Sequence, residues 1–176
     1  FFTFYFFWHL NLGYSMTQII YQLARQSGEH LLKRGWKLAT AESCTGGGLG
    51  YFITEIPGSS GWLERGFITY SNEAKQTLLD VKITTLDDHG AVSQAVACEM
   101  AEGALAHSQA QVSIAITGIA GPDGGSIEKP VGTVWFAWAG VDLETVSEAR
   151  CFAGDRHAIR LQAIQFALEN LLRFIQ

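Results

Sequence analysis

Four short stretches of this 176-residue sequence place reactive side chains beside glycines or at helix starts. The first is Ala41-Glu42-Ser43-Cys44-Thr45-Gly46-Gly47-Gly48, where a strand candidate runs into a glycine-rich turn and then a helix. Glycines let the backbone approach a ligand closely. N–H groups at a helix start can hold an anion or a developing oxyanion. Ser43 or Cys44 would sit at the mouth of such a nest, although an ordinary N-cap on a tight turn has the same composition. The second stretch runs from Thr69 through Tyr70 to Lys75, with Lys75 in the first turn of its helix. The positive end of the helix dipole disfavours a cation there by about 0.3–1 kcal/mol. The same field lowers the lysine pKa, which a lysine general base requires. An exposed lysine beyond the dipole's reach is the plainer alternative.

The third stretch, Thr117-Gly118-Ile119-Ala120-Gly121-Pro122-Asp123-Gly124-Gly125, follows the best central strand and could form a second backbone cradle, or simply a long connection. The fourth is Gly154-Asp155-Arg156, again with a cation at a helix start. A bound anion would relieve that conflict, since Arg offers bidentate contacts to phosphate. A surface pairing of Arg156 with Asp155 or Glu148 is the alternative. The remaining reactive residues carry less. Trp135 and Trp138 read as core, Cys98 and Cys151 as buried filler, His107 and His157 as solvent-facing, and Asp87 and Asp88 as turn residues. The five histidines are scattered and no Cys/His cluster has metal-ligand spacing, so no metal and no cofactor are expected.

These residues need a scaffold, and the sequence supplies one. Thr17–Arg34 has a helical apolar stripe that Gly35 ends; Lys37–Thr40 is a strand; Leu49–Ile56 is a helix closed by Pro57-Gly58. Phe67–Tyr70 is a strand, Asn72–Leu79 a helix and Thr84–Gly90 a polar loop. Ser93 caps a helix running to about His107. Val112–Thr117 is a central strand, and Gly118–Pro130 is a long loop of the kind that often carries function. The unbroken apolar run Val131–Ala139 suits a strand covered on both faces. Val146–Phe152 pairs with it across a Gly140–Glu144 turn, and Asp155–Phe174 is a helix with one apolar stripe. Alternating strands and helices followed by a hairpin give an α/β fold, a three-layer α/β/α sandwich with a mixed, mostly parallel sheet.

Composition narrows the partners. Hydrophobic residues make up 48% and charged residues 16%, which excludes disorder. A net charge of -5 argues against nucleic acid, whose phosphates need a basic face, but permits a small anionic ligand. Three cysteines without a CxxC pair suit a reducing, cytoplasmic setting. The segment Phe1–Ser15 lacks the basic start of a signal peptide and any Lys or Arg to hold it on a membrane. It is read as a leader of cloning or gene-model origin, with Met16 the natural start and residues 16–176 one domain. No membrane association is expected, and a homo-oligomer such as a dimer stays open.

Taken together, the stretches TAESCTGG (40–47), GSSGWLERGFITYSNEAK (58–75), HGAVS (89–93), ITGIAGPDGGSIEKPVGTVWFA (116–137) and FAGDR (152–156) resemble the CinA C-terminal-domain family, in its nicotinamide-nucleotide amidase branch. The resemblance runs from about Met16 to the C-terminus. It implies a domain like the anticodon-binding domain and hydrolysis of the amide of nicotinamide mononucleotide to nicotinic acid mononucleotide and ammonia, in pyridine nucleotide recycling. By the same resemblance Ser43 matches the nucleophile and Lys75 the base, while Tyr70, Thr117 and Arg156 match further active-site positions. Thr45, Gly46, Gly47 and Gly118 are expected to contact the substrate through the glycine-rich turns. Longer members carry an N-terminal nucleotide-pyrophosphatase-type domain, whose activity is not expected here.

The residues agree with this. A serine hydroxyl is a weak nucleophile until a base takes its proton. His89 and His157 alone lie near the motifs, so a Ser–Lys pair is more economical than a Ser–His–Asp triad. Two other readings stay open. A non-catalytic nucleotide-binding regulatory module would explain the glycine-rich loops but not the joint presence of Ser43, Tyr70 and Lys75. A hydrolase using Cys44 lacks a histidine partner to form a thiolate.

Overall fold

The computed structural model describes residues 15–176, so the expectation for the leader falls outside the described residues except at Ser15. The chain order is α1 (Met16–Arg34), β1 (Leu38–Glu42), α2 (Gly48–Thr54), β2 (Leu63–Ile68), α3 (Asn72–Leu79), α4 (Ile83–His89), α5 (Gln94–Ala106), β3 (Val112–Gly118), β4 (Thr133–Gly140), β5 (Leu143–Cys151) and α6 (Arg156–Phe174). Ser15 caps α1: its side chain accepts the Gln18 N–H while the Gln18 side chain accepts the Ser15 N–H. This capping box ties Ser15 to the helix, one residue before the expected start.

The sheet order is β2-β1-β3-β4-β5. β1 pairs in parallel with β2 and β3, while β4 runs antiparallel to both β3 and β5. β4 is therefore the one strand that opposes the rest, and the α/β three-layer expectation holds. The register is what matters for function. Glu42, the last residue of β1, lies level with Ile68 of β2 and Ile116 of β3. The next residues along these three neighbouring strands, Ser43, Thr69 and Thr117, thus emerge side by side at the carboxyl end of the sheet, where ligands gather in open α/β folds.

The two faces of the sheet differ in side-chain size. On one face Leu38, Ile114, Ile116, Phe136 and Trp138 pack against Ile20, Leu31, Ile159 and Leu168 of α1 and α6. On the other, Ala39, Ala41, Ala115, Ala137 and Ala139 meet Ala97, Met100, Ala101 and Ala104 of α5. Period-two alternation within β1, β3 and β4 produces this split. The small face lets α5 lie close to the sheet, and α3 then packs on α5. Among the described residues no helix is long and apolar enough to cross a membrane.

Several local expectations change. Residues 83–89 form a helix, not a polar loop, so Asp87 and Asp88 are helical and exposed. Its start has no side-chain cap. Instead Glu99 of α5 accepts the Lys82 N–H at 2.9 Å and the Thr85 hydroxyl at 2.8 Å. Tertiary contact, with Leu86 buried, therefore overrides a weak local propensity. β1 runs on through Glu42, so the glycine-rich turn begins only at Ser43. The hairpin turn is two residues, Val141 and Asp142, with Asp142 at φ 61°. Cys98 is half-buried and Cys151, on the edge strand β5, is exposed, so neither is buried filler.

Gly103 shows how tightly α3 is seated. A Cβ on Gly103 would fall 2.0 Å from the Leu79 carbonyl oxygen, which is backbone and cannot swing aside. Gly103→Ala should therefore lower stability by about 1–3 kcal/mol, although helix propensity alone would favour Ala by about 1 kcal/mol. Thermal or denaturant melts check this, and an unchanged or raised midpoint would mean that α3 and α5 part easily.

Candidate active site

A cavity of about 230 Å³ opens at the carboxyl end of the sheet. Ser43 and Cys44 reach it from the end of β1, and Thr117 and Gly118 from β3. Tyr70, Asn72 and Lys75 come from the β2–α3 region, and Arg156 from the start of α6. Ala91, Val92 and Ala120 complete the wall. Ser43, Tyr70, Lys75, Thr117, Gly118 and Arg156 are thus brought together from positions up to 113 apart in sequence.

Lys75 is the least ordinary of them, at 1% exposure. Helical side chains lean toward the N-terminus of their helix. From its place one turn into α3, Lys75 therefore runs back along the helix, and its Nζ donates to the Thr69 carbonyl at 2.8 Å. The same Nζ lies 3.1 Å from the Ser43 hydroxyl oxygen. Among the described residues no carboxylate pairs with it. Burial without a compensating charge disfavours the ammonium form, and holds the Lys75 pKa below the ordinary 10.5. A neutral amine keeps an N–H on Thr69 and can turn its lone pair to Ser43. Ser43 is itself fixed, since its N–H donates to the Ile116 carbonyl at 2.9 Å, prolonging the sheet by one residue.

Cys44, beside Ser43, is opposite in character. Burial pushes its thiol up to about 12, and the nearby Glu42 adds to the shift. A thiol in that state is a poor nucleophile. No histidine lines the cavity; His107 and His157 are solvent-exposed as expected.

The glycine-rich turn departs from expectation. Gly46 and Gly47 adopt φ of 56° and 88°, conformations that favour glycine, and a Cβ on Gly47 would meet Ile68 at 2.9 Å. The α2 start does not offer free N–H groups, however. The carboxylate of Glu42 accepts the Leu49 N–H at 3.0 Å and the Gly50 N–H at 2.9 Å. The Gly48 N–H is taken by the Thr45 carbonyl and the Tyr51 N–H by the Gly47 carbonyl. Thr45, Gly46 and Gly47 are not among the cavity-lining residues. Thr45 is fully buried, and its carbonyl accepts Nη2 of Arg160 at 2.7 Å.

Arg156 is anchored rather than paired with a carboxylate. Nη1 donates to the Gly121 carbonyl at 2.7 Å and Nη2 to the Tyr70 hydroxyl at 2.9 Å. Asp155 instead caps α6 by accepting the Ala158 N–H at 2.8 Å, and Glu148 pairs with Arg150. The guanidinium thus bridges the third loop and the β2–α3 connection at the rim. Thr117 donates its hydroxyl to the Ala91 carbonyl at 2.8 Å, pinning the wall segment before α5. Sequence reasoning passed over Asn72, Ala91, Val92, Ala120, Glu42 and Arg160. Asn72 had a signal, since it lies three residues before Lys75 on one helix; the small wall residues have none.

The buried lysine makes a pH-dependent contribution to stability. Its folded value lies below its unfolded value, so between the two the folded state binds fewer protons and stability rises with pH. Lys75→Met removes that dependence. The unfolding free energy of the wild type relative to Lys75→Met should therefore climb as pH rises toward 10.5, where the penalty on the buried ammonium vanishes. Denaturant melts of both proteins across that range check it, and a flat difference would place the amine in water.

The family model described as the CinA C-terminal domain matches residues 20–175. Nicotinamide-nucleotide amidohydrolase PncC of Escherichia coli is 55% identical over 150 residues, which cover 85% of this chain and 91% of that protein. The protein of the same name from Pseudomonas putida is 50% identical over 151 residues, covering 86% and 94%. The crystal structure of competence/damage inducible protein CihA from Agrobacterium tumefaciens has a TM-score of 0.88 at 44% identity, covering 90% of this chain and 96% of that one. A strand-end serine facing a buried lysine thus sits on a shared fold at high identity, and the chain belongs to the CinA C-terminal domain family.

Proposed function

We propose that this protein hydrolyses the amide of nicotinamide mononucleotide, giving nicotinic acid mononucleotide and ammonia, with Ser43 as nucleophile and Lys75 as its base. The observation that carries the chemistry is the 3.1 Å approach of the Lys75 amine to the Ser43 hydroxyl in a pocket that lowers the lysine pKa. The substrate is carried over from the relatives named nicotinamide-nucleotide amidohydrolase. The product would feed pyridine nucleotide recycling.

Neutral Lys75 takes the Ser43 proton as Oγ attacks the amide carbon, forming a C–O bond and a tetrahedral oxyanion. The ammonium of Lys75 then returns the proton to the leaving nitrogen; the C–N bond breaks and ammonia departs. A water attacks the resulting ester, Lys75 again moving the proton, and the acid product leaves with Ser43 restored. Thr69 holds the amine in place through both cycles. Arg156, fixed by Gly121 and Tyr70, is the cation available at the rim for the 5′-phosphate. A regulatory module that only bound nucleotide would need the Arg156 rim but not a desolvated lysine against a serine.

Ser43→Ala should abolish deamidation while Cys44→Ala keeps most of it; equal loss in two folded variants would move the nucleophile to Cys44. Lys75→Arg should lose turnover although its charge is kept, because Arg does not give up its proton. The wild-type rate should rise with pH through the lowered lysine pKa, and ammonia release from the mononucleotide at varied pH checks both. Free nicotinamide, lacking the phosphate, should be a much poorer substrate. Arg156→Ala should lower kcat/KM for the nucleotide by about ten- to a hundredfold, matching loss of a charged hydrogen bond of about 1.5–3 kcal/mol. Equal turnover of nicotinamide and the mononucleotide would remove the phosphate site. Activity should survive dialysis against EDTA, since every step uses protein groups.

A further inference from the structure

Glu42 has no part in the scheme above, yet it adjoins the nucleophile and the residue that holds the base. It is 2% exposed at the end of β1, directly before Ser43. Its two carboxylate oxygens occupy the Leu49 and Gly50 N–H groups, the two donors that a helix start would otherwise turn toward an anion. Its carbonyl accepts the Thr69 N–H at 2.8 Å, and the Thr69 carbonyl in turn holds Lys75. One residue therefore links the nucleophile by covalent bond, the base through Thr69 and the α2 start through its side chain.

Closing the α2 start leaves the N–H groups of the turn itself. Those of Ser43, Gly46 and Gly48 are spent on Ile116, Ser43 and Thr45 carbonyls. The Cys44, Thr45 and Gly47 N–H groups have no hydrogen-bond acceptor on another residue among the described residues, and of these three residues Cys44 alone lines the cavity. It also follows the nucleophile directly, so it travels with Ser43. Arg160 secures the far side of the same turn through the Thr45 carbonyl, so the segment is gripped at both ends.

Resting on the Ser43–Lys75 reading, we propose that the oxyanion of the reaction is held by the Cys44 N–H rather than by the α2 start, and that Glu42 is the positioning residue that makes it so. A carboxylate is suited to the task because both oxygens accept and neither donates. Glutamine at the same place would turn an amide N–H toward one of the helix N–H groups and release it. The Ser43–Gly47 turn would then lose its anchor and the oxyanion donor its aim.

The test uses pyridine-3-boronic acid with the wild-type protein. Ser43 Oγ adds to boron, Lys75 takes the hydroxyl proton, and boron becomes a tetrahedral anion without losing a group. In 15N-labelled protein the Cys44 amide should show the large downfield shift of a new charge-assisted hydrogen bond, with Leu49 and Gly50 little changed. Large shifts at Leu49 and Gly50 with the Cys44 amide unmoved in the adduct would overturn the assignment without any variant being made. Glu42→Gln should bind the boronate at least tenfold more weakly and lose about ten- to a hundredfold in kcat with KM within about threefold, as displacement of an oxyanion donor requires. A folded Glu42→Gln with wild-type kcat and boronate affinity would reduce Glu42 to a structural cap. Should the wild type bind boronate as described yet leave nicotinamide mononucleotide intact, the substrate assignment falls and the oxyanion site stands.

Discussion

Everything at this site depends on keeping one amine out of water without giving it a counter-charge. Lys75 meets a carbonyl and a hydroxyl, both neutral, and nothing else polar of consequence. A carboxylate in place of the Thr69 carbonyl would hold the ammonium form and leave no lone pair for Ser43. The fold achieves the neutral arrangement by register: three adjacent strands end level, so Thr69 and Ser43 arrive beside each other with their backbones already committed to the sheet. The amine's position is then a matter of where α3 lies, and α3 lies where α5 lets it.

That dependence explains the unequal faces of the sheet. Alanine side chains from β1, β3 and β4 give α5 a shallow bed, and glycine at 103 gives α3 a close seat upon it. The opposite face can be bulky because α1 and α6 need only cover the sheet, not hold a reacting group at a fixed distance, apart from Arg156 and Arg160 at the leading turns of α6. Interiors transmit small displacements because they are close-packed. A methyl group added between α3 and α5 is therefore felt at the serine, whereas one lost between α6 and Trp138 leaves chiefly a cavity.

Much of this was legible in the sequence where local chemistry and structure coincide. The helix over Asn72–Leu79 and the Ser93 cap follow from neighbouring residues and appear where expected, whereas β1 runs two residues past the expected Lys37–Thr40 strand. Ser43, Tyr70, Lys75 and Arg156 stand out in the sequence, and the fold brings them to one cavity. What stayed hidden depends on distant partners. Thr84–Gly90 reads as a loop, yet Ile83–His89 is helical, because its support comes from Glu99 on another helix. Glu42 read as one more residue of a motif, since nothing local shows that its carboxylate closes α2. A helix start alone does not account for Lys75 for the same reason: burial is the chief cause of its lowered pKa, and burial cannot be seen from one helix.

The pairing of α1 with α6 over the bulky face has a consequence for synthesis. These are the first and last helices of the described chain, and Arg34 at the end of one reaches the carbonyl of Gln176 just beyond the other. On the ribosome, β3 and β4 emerge with Phe136 and Trp138 facing a side that α6 alone can finish covering. Until α6 has been made, that aromatic surface lacks part of its cover and is the exposed side of the nascent sheet. The alanine face meets no such delay, because α5 precedes β3 and β4 in the chain.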